Sequence, residues 1–171
     1  GNLRVVARAV PDGAAGAVRW QLSAEGQAAP WSLWRVAFPQ VAIPDLGPRS
    51  CVLFPKGCGE VQRDVWNRAF RFTGTYPSGW TTMQFMAAYR ESPLTGLYLA
   101  VHDPWGSTKD LLCESRLPER TVVLRYEHPV PDMGLPGNRF QLSGEAVWQL
   151  LRGDWCDAAF AYRDWVRKQA R

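Results

Sequence analysis

Apolar and polar residues alternate at period 2 through most of this chain, and only after Gly153 does the period lengthen to about 3.6. That change of period constrains the fold most. Nine segments read as strands: 3–10, 17–24, 31–38, 51–54, 83–89, 96–102, 108–114, 121–128 and 140–151. All of them precede the one segment that reads as a helix, 154–169. With no helix between strands, parallel βαβ crossovers are not expected and the sheets read as antiparallel. Turn signals such as Pro11-Asp12-Gly13 and Glu91-Ser92-Pro93 recur at the spacing of a β-sandwich.

The helix is legible residue by residue. Gly153 ends the last strand, Asp154 is suited to cap the N-terminus, and Asp157 adds negative charge to the first turn. Arg167, Lys168 and Arg171 place positive charge in the last turn, so both ends suit the helix dipole. Trp155, Ala158, Ala159, Tyr162, Trp165 and Val166 form an apolar stripe that needs a partner surface. The expectation is a mainly β protein: an antiparallel β-sandwich over residues 1–152 and one C-terminal α-helix over 153–171. Residues 60–79 fit neither period and read as a long loop broken by Gly74, Pro77 and Gly79.

Several function classes are disfavoured. No apolar run approaches the roughly 20 residues of a transmembrane helix, so no membrane partner is expected. The net charge of +4 comes mostly from Arg spread along the chain, and only Arg63 to Arg71 mixes Arg with aromatics. A nucleic-acid surface concentrates its cations, so no nucleic-acid partner is expected either. Cys51, Cys58, Cys113 and Cys156 lack zinc-ligand spacing, and only two His exist, His102 and His128, so neither a metal nor a cofactor is expected. Cys51 and Cys58 flank a Pro/Gly loop and can close a disulfide in an oxidising compartment or stay free. No phosphate-binding loop, dinucleotide fingerprint or nucleophile elbow is present.

Two corners carry the remaining chemistry. His102-Asp103 ends a strong strand and is followed by Pro104-Trp105-Gly106. One reading is a sugar-facing corner, with His102 and Asp103 bonding hydroxyls and Trp105 as an apolar platform. The other is structural, with Asp103 capping its own turn, His102 pairing with a neighbouring strand and Trp105 plugging the sandwich end. Trp80, in Tyr76-Pro77-Ser78-Gly79-Trp80, is a second candidate for stacking on a pyranose. The candidate ligand-binding residues are therefore Trp80, His102, Asp103 and Trp105, and no catalytic residue is assigned. Glu127 and Glu145 lie on separate strands, where pairing with an Arg such as Arg125 is the ordinary fate of a carboxylate.

The segments YPSGWTTMQFMAAY (76–89), GLYLAVHDPWGSTKDL (96–111) and GDWCDAAFAYRDWVRKQ (153–169) resemble an uncharacterised bacterial family of glycoside-hydrolase-like proteins. In that family a galactose-mutarotase-like supersandwich precedes a (β/α)8 barrel. Its distant characterised relatives are similar to endo-α-N-acetylgalactosaminidases. The resemblance implies a non-catalytic, incomplete supersandwich that supports a C-terminal barrel of the same polypeptide and contacts carbohydrate. It also implies that the helix leads into the barrel, where such enzymes carry their catalytic carboxylates. Two rival readings stand beside it. One is a lectin-like carbohydrate-binding module using Trp80, Trp105 and the His102-Asp103 turn. The other is a mutarotase-type epimerase pairing His102 or His128 with Glu127 or Glu145.

Overall fold

The computed structural model describes residues 3–26 and 30–169 and contains the expected antiparallel sandwich closed by one helix. Among the described residues there are twelve strands. The larger sheet runs in the order β1 (Arg4–Asp12), β2 (Ala17–Glu25), β12 (Glu145–Leu151), β8 (Leu94–His102), β7 (Phe85–Glu91), β4 (Ser50–Phe54) and β5 (Glu60–Arg63), with β11 (Phe140–Gln141) also on β2. The smaller sheet is β3 (Arg35–Pro44), β10 (Thr121–Pro129), β9 (Lys109–Arg116) and β6 (Arg71–Tyr76). Every pairing between named strands is antiparallel. No helix among the described residues is long and apolar enough to cross a membrane.

The central strands of the larger sheet, β4, β7 and β8, are covered on both faces, which explains their near-continuous apolar runs, whereas edge strand β1 is exposed. Val52, Phe54, Met86, Leu99 and Val101 point between the sheets, against Leu111, Cys113, Val122, Leu124 and Tyr126. Their neighbours Phe85, Ala87, Tyr98, Ala100 and Val147 point the other way, toward helix α1 (Trp155–Gln169). The Tyr126 hydroxyl donates to the carbonyls of Gln84 at 3.0 Å and Leu99 at 3.2 Å, tying one sheet to the other.

Three sequence expectations need correction. Residues 60–79 are not one loop but β5, a 3-10 turn at Val65–Asn67, and β6. Phe72, Gly74 and Tyr76 face inward on β6, and the alternation is hidden because its middle inward residue is glycine. A Cβ on Gly74 would lie 2.0 Å from Thr81 Oγ1, so no larger residue fits that slot. The strand expected at 31–38 begins only at Arg35, because the Asn138 side chain takes both backbone groups of Leu33, at 2.8 Å each. The strand expected at 140–151 is split, since Ser143 turns inward and Gly144 has φ of 72°.

Helix α1 begins as expected. Asp154 Oδ1 accepts from Cys156 N at 2.8 Å and Asp157 Oδ2 accepts from Asp154 N at 3.0 Å, a reciprocal cap of two otherwise orphan donors. Arg171 lies outside the described residues. Ala158 is fully buried and Tyr162 and Trp165 are partly covered. Trp155 and Val166 sit at the margins of the stripe and are exposed, as is Phe160 on the outer side.

Candidate functional site

The turn from β8 to β9 is anchored by a buried ion pair. Asp103 and Lys109 are each 1% exposed, and Lys109 Nζ lies 3.1 Å from Asp103 Oδ2. Asp103 Oδ1 accepts from Trp105 N at 2.9 Å and the Ser143 hydroxyl at 2.7 Å, and Oδ2 accepts also from Ser107 N at 2.8 Å. Gln84 closes the network, accepting from Lys109 Nζ at 2.5 Å and donating to the Asp103 carbonyl at 3.0 Å. Burial pushes the Asp103 carboxyl up, but its bond from Ser143 and the Lys109 charge outweigh that and hold it at about 2. Burial pulls the Lys109 ammonium down, against the opposing pull of Asp103.

Every oxygen of Asp103 is thus committed within the protein. The residue holds a turn and is not free to bond a ligand. Its turn carries Trp105, which is 81% exposed and projects from a backbone fixed at both Trp105 and Ser107. Trp105 does not plug the sandwich end. With Tyr76, Tyr162, Trp165 and Val166 it lines a cleft of about 270 Å³ between the turn and helix α1. The support behind it is tight, because a Cβ on Gly144 would lie 2.1 Å from the His102 carbonyl oxygen. Gly144→Ala is therefore expected to lower stability by about 2–3 kcal/mol, combining positive φ with a backbone clash, as read from a denaturant midpoint.

Trp80 stands elsewhere. It is 59% exposed, but one ring face meets Lys56 Nζ at 4.8 Å from the centroid, and Lys56 also covers Phe72 at 4.8 Å. The cleft holding Trp105 does not include Trp80. His102 is 8% exposed, bonds the Tyr98 hydroxyl through Nε2 at 2.9 Å, and stacks on Trp165 at 4.6 Å with planes 12° apart. Burial, and secondarily the charge of Arg19, pulls its imidazole down to about 3. Glu145 faces His102 directly in the β12–β8 register and lies 3.5 Å from Arg19.

Burial disfavours the charged imidazole at His102, which weighs against an acid role for it beside Glu145 in an epimerase couple. His128 bonds the Phe38 carbonyl at 2.7 Å and packs against Phe140. Glu127 pairs with Arg125 at 2.8 Å and Arg35 at 3.3 Å on the outer face of the smaller sheet. Glu145 lies on the helix side of the larger sheet. With the sandwich between them, the two carboxylates cannot form the pair, about 5–9 Å apart, that glycoside hydrolysis requires.

Cys51 and Cys113 are buried, Cys58 is exposed and Cys156 is partly exposed, all as free thiols. The Lys109–Gln84 half of the site was invisible in the sequence, since Lys109 reads there as an ordinary strand polar residue. One signal was present: Lys109 opens a strand beside a turn rich in backbone donors.

A solvent-facing tryptophan on a pinned turn, beside an aromatic-lined cleft, is the candidate surface site of this β-sandwich and its closing helix. No protein-family model matches the chain. It is 31% identical over 147 residues to "Putative glycoside hydrolase 22789" of Monosiga brevicollis, covering 82% of this chain and 12% of that protein. Its fold is similar to part of the α-N-acetylgalactosaminidase NagBb of Bifidobacterium bifidum, whose structure holds GalNAc. The TM-score is 0.63 at 13% identity, over 98% of this chain and 31% of that one. The chain thus spans a minor share of either relative.

Proposed function

We propose that this chain is a non-catalytic β-sandwich domain of a glycoside-hydrolase-related, carbohydrate-active polypeptide, and that it contacts glycan through Trp105. Residues 1–152 form a galactose-mutarotase-like supersandwich, and 153–171 lead toward a (β/α)8 barrel of the same polypeptide. The observation that carries the reading is Trp105: 81% exposed, yet anchored by a fully buried ion pair. An exposed indole on a rigid support offers a flat apolar face at low entropic cost, which suits the C–H face of a pyranose. The outward Trp155, Phe160 and Val166 of helix α1 support a neighbouring domain. The likeness to a protein described as a glycoside hydrolase supports the substrate class.

The test is hydrolytic. The 171-residue chain alone is expected to release no p-nitrophenol from p-nitrophenyl α-N-acetylgalactosaminide. The encoded reading frame is expected to continue for roughly 250–300 residues of alternating strands and helices. Enzymatic turnover by this chain alone, or a reading frame without that continuation, overturns the proposal.

A further inference from the structure

A second cleft, about 420 Å³, opens on the other side of Trp165, between helix α1 and the β2–β12–β8 part of the larger sheet. Arg19, His102, Glu145, Gln149, Trp165 and Lys168 line it, and its volume falls within the roughly 300–1,000 Å³ of small-ligand sites. We propose that this cleft binds one neutral pyranose residue through its hydroxyls, a role that deepens and rests on the glycan-contacting function above.

Unspent hydrogen-bonding capacity is the first argument. His102 is 8% exposed, and its Nδ1 has no partner among the described residues. A buried polar atom left so costs about 1–3 kcal/mol; Nδ1 is shut off from solvent, so a ligand hydroxyl recovers that cost by displacing the side chains that cover it. Nε2 is already committed to the Tyr98 hydroxyl, which can give or take that hydrogen bond, so Nδ1 offers one acceptor or one donor accordingly. Arg19 sits 3.5 Å from Asp12 and 3.5 Å from Glu145, well beyond the roughly 2.7–2.9 Å of a charge-assisted bond. Both Arg19 and Glu145 therefore keep capacity for a third group placed between them.

Charge and shape select the class. Two cations, Arg19 and Lys168, face two carboxylates, Glu145 and Asp164, so the walls are balanced and neither an anionic nor a cationic ligand gains a net attraction. His102 adds no charge, because burial keeps it neutral. Trp165 supplies an apolar wall, fixed by its stack on His102 and its contact with Tyr162 at 5.5 Å. Paired donors and acceptors beside an apolar wall match a pyranose, with hydroxyl edges and C–H faces.

Because the chain has only two histidines, labelling with 15N-histidine gives two imidazoles to follow. Titration with N-acetylgalactosamine or galactose is expected to shift the His102 Nδ1 resonance saturably and leave His128 in place. Glu145→Gln, checked by an unchanged Tm, is expected to weaken that response at least tenfold. Glucuronate and N-acetylneuraminate are expected to produce a weaker shift than the neutral sugars. A silent His102, equal movement of both histidines, indifference to Glu145→Gln, or preference for the acidic sugars overturns the inference. If glycan still binds in a Trp105-dependent manner while His102 is silent, only this inference falls. If no sugar perturbs the protein anywhere, the glycan-contacting role falls with it.

Discussion

Replacing Lys109 with alanine is expected to cost about 3–5 kcal/mol of unfolding free energy, because it strands the Asp103 carboxylate without its counter-charge in the interior. Nothing nearby can substitute, since both residues are 1% exposed and Gln84 has already used its amide on the Asp103 carbonyl. For a domain of this size the midpoint of thermal unfolding should fall by about 10 °C. Adding Asp103→Asn should restore part of the loss, because the amide removes the unpaired charge and still accepts from the turn. That sign of coupling separates a buried ion pair from a simple packing defect. Equal stability of wild type and Lys109→Ala would mean that the ammonium reaches solvent.

Acid should weaken the fold well above the range in which carboxylates titrate. Burial pulls His102 to about 3 and His128 to about 4, against an ordinary value near 6.5. Between those limits the unfolded chain binds protons that the folded chain refuses, so stability rises with pH across that window and is lost as pH falls below about 6.5. At pH 4.5 each histidine should account for roughly 2–3 kcal/mol, or about 5 kcal/mol together. Asp103 works in a lower window: its carboxylate is held near 2, so its stabilising share is lost only as pH falls below about 3.9. Unfolding midpoints measured from pH 7.5 to 4.5 should fall steeply in wild type and less in His128→Gln. A flat profile would show that both imidazoles accept protons in the folded state.

The sequence revealed strands wherever burial imposes a pattern on consecutive residues. The segment GLYLAVH is apolar throughout because β8 is covered on both faces, and the helix was legible from Asp154 and its stripe. Edge elements were harder to read. On β6 the periodic signal is erased by Gly74, which is small only because Thr81 occupies the space beyond it. Residues 31–34 look like a strand, but both backbone groups of Leu33 are diverted to Asn138, more than a hundred residues away in sequence. The same distance problem hid half of the site. The Asp103 turn was local and readable, whereas its partners Gln84, Lys109 and Ser143 come from three other places in the chain. Exposure is a tertiary property too, so the sequence could nominate Trp80 and Trp105 but not distinguish the capped indole from the free one.

The most direct measurement of the glycan-contacting role is a calorimetric titration of wild type and Trp105→Ala with an N-acetylgalactosamine-terminated oligosaccharide. Wild type should bind saturably. Trp105→Ala should bind at least about tenfold more weakly, a loss of roughly 1.4 kcal/mol, with its unfolding midpoint unchanged because the indole supports nothing beneath it. Absence of binding to wild type, or equal affinity in the two proteins, would contradict the account.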